Sequence, residues 1–133
     1  MRLAHEARRI ASQHAYLDAL EATTLRALER GDPLEMRQAL DGFHGSLDSH
    51  FALEEQVHFP ALHGLRAEFE VELLALVREH QRFRSVLVGL GAQARRSPPD
   101  PAELAAAFRE LAAELGRHEQ REERLLAQAP ARS

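Results

Sequence analysis

Four stretches of this chain carry apolar side chains at alternating steps of three and four residues. That spacing is typical of the buried stripe of an amphipathic helix in a bundle. Valine and isoleucine are few and no alternating strand pattern occurs, so we expect helices over about 2–30, 33–62, 66–96 and 101–127. Short connections make neighbouring helices antiparallel. The sequence therefore predicts an all-α fold, a single domain of residues 1–133 forming an antiparallel up-down-up-down four-helix bundle.

Two of the predicted helix starts rest on capping chemistry. Asp32 and Asp100 each precede a proline, and a glutamate stands three residues after each aspartate. An aspartate cap accepts hydrogen bonds from backbone N–H groups of the first turn, and proline at the first helical position loses no bond. Gly64 is able to take the left-handed conformation and is predicted to end the second helix. The predicted buried stripe of that helix is Met36, Leu40, Phe43, Leu47, His50, Glu54, Val57 and Ala61.

One histidine interrupts the apolar stripe of every predicted helix, and a glutamate follows one turn later in the second and fourth. Counted from the connecting loops, these positions agree to within about a turn, so they are expected in one layer of the bundle. Buried carboxylates are costly unless they are paired or bound to a metal. Two carboxylates with four imidazoles thus predict a metal site, with a metal-free polar network as the alternative. The candidate ligands are His14, His50, Glu54, His80, His118 and Glu122.

The mixture of imidazole and carboxylate donors suits two iron ions, with manganese or zinc as alternatives. Each glutamate lies one turn from its histidine, so its two oxygens are placed to bridge adjacent ions. Two histidines per ion leave positions for a bridging oxide or hydroxide and for a small ligand. Because two carboxylates balance only part of the charge of two divalent ions, an anionic bridge is favoured.

Composition excludes several other classes of protein. The chain has no cysteine, which excludes disulfides, thiolate metal sites and iron–sulfur clusters. A net charge of −4 argues against nucleic acid or an anionic membrane as a partner. There is no apolar run near the ~20 residues of a membrane span, and no signal-peptide core. We therefore expect a cytoplasmic protein.

The ordered set of His-x-x-x-Glu on the second and fourth helices, with single histidines on the first and third, resembles the hemerythrin-like family, also called HHE cation-binding domains. The resemblance covers essentially the whole chain and includes HFALEEQVHFP at residues 50–60. It implies one iron held by the first two helices and one held by the last two, with both glutamates bridging. The implied pairs are His14 with His50 and His80 with His118, bridged by Glu54 and Glu122.

Two features depart from the oxygen-carrying members of that family. These have a fifth iron histidine from a His-x-x-x-His pair on the third helix, whereas Leu76 and Arg84 flank His80 here. They also have an aspartate where Glu123 stands. The resulting set of four histidines and two glutamates resembles the di-iron domains of iron–sulfur repair proteins.

Two ligand assignments stay open at this point. Glu123 is the alternative to Glu122, which we prefer because it lies on the stripe. His58, two turns beyond His50, is an alternative fifth ligand.

An apolar layer is expected beside the histidines, formed by Leu17, Leu47, Phe83 and Leu115. Such a dry pocket admits O2 or NO and excludes large polar substrates. The predicted function is to bind or sense O2 or another small diatomic ligand, and a sensor would also need a protein partner or a change of shape. The alternatives are redox catalysis, such as peroxide or NO reduction or iron–sulfur repair, and iron handling.

Overall fold

A computed structural model describes residues 2–65 and 67–128, with the side chains of residues 8–64 and 67–128. All regular structure in these ranges is helical, which confirms the predicted all-α class. No helix in the same ranges is long and apolar enough to cross a membrane. The elements are α1 (Arg2–Arg30), α2 (Pro33–Leu53), a π-helical segment (Glu54–His58), α3 (Phe59–Leu65), a 3-10 turn (Ala67–Phe69), α4 (Glu70–Ala94) and α5 (Pro101–Gln128).

Four helical arms pack in a closed ring. Helix α1 packs against α2 and α5, and α4 packs against the same two helices. The second arm is α2 continued through the π-helical segment into α3, so the arms correspond to the four predicted helices. The antiparallel order of the arms belongs to the proposal made below.

Aspartate caps begin α2 and α5, as the sequence predicts. The carboxylate of Asp32 accepts a hydrogen bond from the N–H of Glu35 at 2.9 Å. Asp100 accepts one from the N–H of Glu103 at 3.2 Å. Gly31, between α1 and α2, has a φ of 80°, a conformation that glycine adopts without steric cost.

The prediction that Gly64 ends the second helix is wrong. Helix α3 runs through this residue to Leu65, and Gly64 is not among the positive-φ glycines of the described chain. Glycine permits the left-handed conformation but does not require it.

The π-helical segment corrects the predicted stripe beyond Glu54. The N–H of Phe59 donates to the carbonyl of Glu54, five residues earlier, so this turn holds one residue more than an α-turn. The buried face therefore advances by one position. Val57, predicted to be buried, is 42% exposed, whereas His58 and Leu62 are buried.

The core is divided into two apolar clusters. The larger contains Leu47, Phe83 and Leu115, and the smaller contains Phe59, Leu76 and Leu125. Along α4 and α5 the buried histidines and the buried glutamate fall between members of the two clusters. We call the six predicted ligand side chains at this level the polar layer.

Candidate metal centre

The structure brings all six predicted ligands together in the polar layer, where none is more than 7% exposed. They form two groups whose donor atoms lie within 4.8 Å of one another. Glu54 belongs to both groups, so the two candidate metal positions share a carboxylate. The first group is His14, His50, Glu54 and Glu122, and the second is Glu54, His80 and His118.

The two carboxylates of the layer stand between the histidine pairs. Glu54 places Oε2 3.0 Å from Nε2 of His50 and Oε1 3.0 Å from Nε2 of His80. Glu122 places Oε1 3.4 Å from Nε2 of His14 and equally far from Nε2 of His118. Each carboxylate thus faces one histidine of each pair, which is the arrangement that a bridging ligand needs.

Every histidine of the layer also has an oxygen partner on its outer side, at Nδ1. When Nδ1 donates its proton, the lone pair of a neutral imidazole lies on Nε2 and faces the layer, where a metal would take it. The Nδ1 contacts are His14 with Glu123 at 3.2 Å, His50 with the amide oxygen of Gln13 at 2.8 Å, His80 with Glu55 at 2.6 Å, and His118 with Glu79 at 2.6 Å.

These outer partners form a ring around the bundle. Each is the sequence neighbour of a ligand on its own helix and bonds the histidine of the next helix. Consecutive residues of a helix point about 100° apart, so a neighbour of an inward residue faces the adjoining helix. Each arm therefore supplies both a ligand and the group that orients the ligand of the next arm.

The inner donor atoms have no adequate hydrogen-bond partner. Nε2 of His14 and both carboxylate oxygens of Glu54 and Glu122 are buried without one, because their close contacts are not aligned as hydrogen bonds. Nε2 of His80 lies 3.1 Å from Nε2 of His118. Two lone pairs at that distance repel unless a proton or a cation lies between them. The donor set therefore fits divalent cations.

The pKa values of His14 and Glu122 also indicate that the polar layer favours bound positive charge, either protons or cations. Burial by itself lowers the pKa of His14, but Glu122 and Glu54 outweigh burial and raise this pKa to about 11. Burial and the nearby Glu54 hold the pKa of Glu122 well above its ordinary value. The proton on His14, and the proton that Glu122 carries below its raised pKa, thus occupy the place of a cation, which would displace them on binding.

His118 behaves differently, since burial lowers its pKa to about 4 despite the hydrogen bond that its Nδ1 donates to Glu79. The imidazole is therefore neutral near pH 7, the form that binds metal ions.

A comparison with protein families agrees with this geometry. The sequence matches the model of the hemerythrin HHE cation binding domain over residues 5–129. The chain belongs to this family. No curated protein and no solved structure matches the chain significantly. Membership in the family and the buried histidine and glutamate groups together indicate a cation-binding protein.

The structure bears on the two open ligand assignments, Glu123 in place of Glu122 and His58 as a fifth ligand. Glu122 is buried among the donors, whereas Glu123 is 57% exposed and contacts His14 from the outer side. His58 is fully buried, yet it belongs to neither donor group. The ligand roles themselves stay predictions.

The apolar layer predicted beside the histidines is present in the larger core cluster. Sequence reasoning missed its closest member, Phe51, because this residue follows His50 and is off the stripe. Its ring stacks on His80 with centroids 3.8 Å apart and an angle of 10° between the planes.

Proposed function

We propose that residues 1–133 form one hemerythrin-like domain that binds or senses a small diatomic ligand, O2 or NO, at two non-haem iron ions. The observation that carries this proposal is the pair of buried donor groups sharing Glu54. His14 and His50 would hold one ion, and His80 and His118 the other. Glu54 and Glu122 would bridge them, with an oxide or hydroxide completing the centre.

The proposal includes the antiparallel up-down-up-down order of the four arms. Support comes from contacts between neighbouring arms. Arg84 binds Asp48 and Arg95 binds Asp41, so residue numbers rise along α4 while they fall along α2. Contacts between α1 and α5 follow the same rule.

Iron is consistent with the donor chemistry and is the ion we propose. Four imidazoles and two carboxylates suit iron as well as manganese and zinc, but not the thiolate-preferring ions. Bound iron would supply ligand binding and a charge-transfer absorption. The protein supplies orientation, since the ring of Nδ1 contacts fixes each imidazole, and it supplies a dry surrounding.

The surroundings of the layer favour a small apolar ligand. Phe51 stacks on His80, and Phe83 packs edge-on against His118 with centroids 5.4 Å apart. Apolar clusters lie to either side of the polar layer along the arms. Such a site takes a diatomic gas and excludes substrates with many polar groups.

The test is optical. Metal-free protein is loaded with Fe(II) under nitrogen, its spectrum is recorded, O2 is admitted and then removed. We expect a charge-transfer band that appears with O2 and disappears when O2 is withdrawn. The His50→Ala variant, measured in parallel, should bind at least one ion fewer per chain.

Other outcomes of the same test would overturn the binding function. A band that persists until a reductant is added would indicate redox catalysis, such as peroxide or NO reduction or iron–sulfur repair. Iron that binds without any response to O2 or NO would indicate iron handling. The cytoplasmic location and the protein partner stay predictions.

A further inference from the structure

We infer that the two metal positions are unequal: the ion at His80 and His118 is retained, and the ion at His14 and His50 is exchangeable. We call these the retained and the exchangeable position. The inference rests on the proposed metal pair and specifies which half of it is released first.

The inner donors are similar at the two positions but not identical. Glu54 contacts His50 through Oε2 and His80 through Oε1, both at 3.0 Å. Oε1 of Glu122 lies 3.4 Å from Nε2 of one histidine in each pair. Each position receives two imidazoles and Glu54, but Glu122 completes a donor group only with His14 and His50. The inner donors therefore do not favour the retained position, and its retention is inferred from the groups behind the histidines and from solvent access.

The retained position has two charged and well-anchored partners. Its histidines contact Glu55 and Glu79 through Nδ1, both at 2.6 Å. Arg121 donates a hydrogen bond to Glu79, and Arg84 makes a longer contact of 3.5 Å with Glu55. A carboxylate at Nδ1 raises the basicity of the imidazole and so strengthens its bond to a metal.

The exchangeable position has weaker partners. His50 contacts the neutral amide oxygen of Gln13 at 2.8 Å, and His14 contacts Glu123 at 3.2 Å. Glu123 is 57% exposed, so water competes for its oxygens. Among the side chains of residues 8–64 and 67–128, no arginine binds Gln13 or Glu123.

Solvent access follows the same division. The histidines of the retained position are 0% and 1% exposed, whereas His14 and His50 are 4% and 7% exposed. Phe51 also covers one face of His80. A cleft of about 200 Å³ between α1 and α2 is lined by Gln13 and His50.

Clefts of about 300 and 340 Å³ border Glu79 and Glu55, the outer partners of the retained position, but neither is lined by His80 or His118. The cleft between α1 and α2 reaches His50 itself, so water and a chelator have a direct path to a ligand of the exchangeable position.

These differences predict two rates of metal release. Loss of an outer partner typically changes metal affinity about 10- to 100-fold. We therefore expect the exchangeable ion to leave at least about tenfold faster than the retained one. The centre then passes through a one-metal state, filled at His80 and His118, during both loading and unloading.

The experiment follows Co(II) release, which needs no activity assay. Metal-free protein is loaded with Co(II), excess metal is removed, and EDTA is mixed in while the visible spectrum of bound Co(II) is recorded. We expect a fast and a slow phase of one ion each. His14→Ala should lose the fast phase and keep the slow one. A single phase, or loss of the slow phase in His14→Ala, would overturn the inference.

Variants of the outer partners test the cause. Gln13→Glu should slow the fast phase, and Glu79→Gln should speed the slow phase, each by about tenfold. Glu29→Gln is the matched control, because Glu29 is also paired with an arginine, Arg109, but lies far from the polar layer in sequence on α1. It should leave both phases unchanged. Unchanged rates in both outer-partner variants would contradict the role assigned to these residues.

Failure of the inference differs from failure of the metal pair. Protein that holds fewer than two Co(II) ions before EDTA is added contradicts the pair itself. Two ions released together contradict only the unequal positions.

Discussion

The polar layer and the larger apolar cluster are built by the same four arms at the same helical spacing, but they stabilise the fold in different ways. In the apolar cluster, Phe43 and Phe108 pack edge-to-face with centroids 5.2 Å apart and are fully buried. Burial of such rings stabilises the fold without further partners. In the polar layer, burial leaves donor atoms unpaired and shifts pKa values, so its stability depends on a bound cation or on displaced protons. Helical spacing thus decides which side chains are buried. Whether a buried side chain stabilises the fold or binds a cation depends on whether it is apolar or ionisable.

The largest effect should come from the apolar cluster. Phe108→Ala removes a fully buried ring and should lower the free energy of unfolding by about 3–5 kcal/mol. Urea unfolding of the metal-free protein measures this change. The folded variant should still bind two metal ions, and loss of metal would show that the two regions are not independent.

Removing a shared donor should lower the metal content rather than the free energy of unfolding. Glu54→Ala deletes the carboxylate common to both donor groups, so the metal content should fall by at least one ion per chain. Elemental analysis of the purified protein measures it, with Glu29→Gln as the control. Unchanged metal content would refute the assignment of Glu54 as a ligand.

Metal binding should depend on pH because a cation displaces protons from His14 and Glu122. The pKa of His14 is raised to about 11, so this group holds its proton at pH 7. The raised pKa of Glu122 means that this carboxyl group keeps its proton to a higher pH than an ordinary glutamate does. As the pH is lowered, the apparent affinity for the metal should fall about tenfold per pH unit for each proton that the metal displaces. Titrations of Zn(II) in several buffers count the protons released. Binding without proton release would contradict this protonation state.

The smallest effect is expected at Glu21, a partly buried residue of α1. Burial, with Glu119 and Asp18 nearby, raises the pKa of Glu21 to about 8. Because this pKa is above its ordinary value, the contribution of Glu21 to stability is present at low pH and is lost as the pH rises toward 8.

Glu21→Gln should therefore stabilise the metal-free protein by about 1 kcal/mol at pH 8, after allowance for partial exposure, and by less at pH 5. Urea unfolding at both pH values tests this. Glu110→Gln, an exposed acid on α5, is the control. An equal gain at both pH values would contradict the assigned pKa.

Much of the fold could be predicted because the signals are local. In α4 and α5 the residues at alternating steps of three and four, from Leu73 to Ala94 and from Leu104 to Leu125, are all buried, and Ala105 is buried beside them. The capping aspartates act within one turn. The π-helical turn could not be predicted, because its hydrogen bond differs from an α-helical one by a single residue and leaves no distinct sequence pattern. The sequence therefore predicts Val57 on the buried stripe and His58 off it, whereas the structure exposes Val57 and buries His58.

The sequence by itself determined the stripes, the caps and the six ionisable residues that fall at one level, because helical periodicity and capping depend on residues a few positions apart. Only the tertiary structure decided how those residues are held. The contact between His14 and Glu123 joins positions 109 residues apart, and Phe51 reaches His80 from another helix. Such contacts depend on how neighbouring helices rotate against each other when their apolar faces pack, and no local pattern records that rotation.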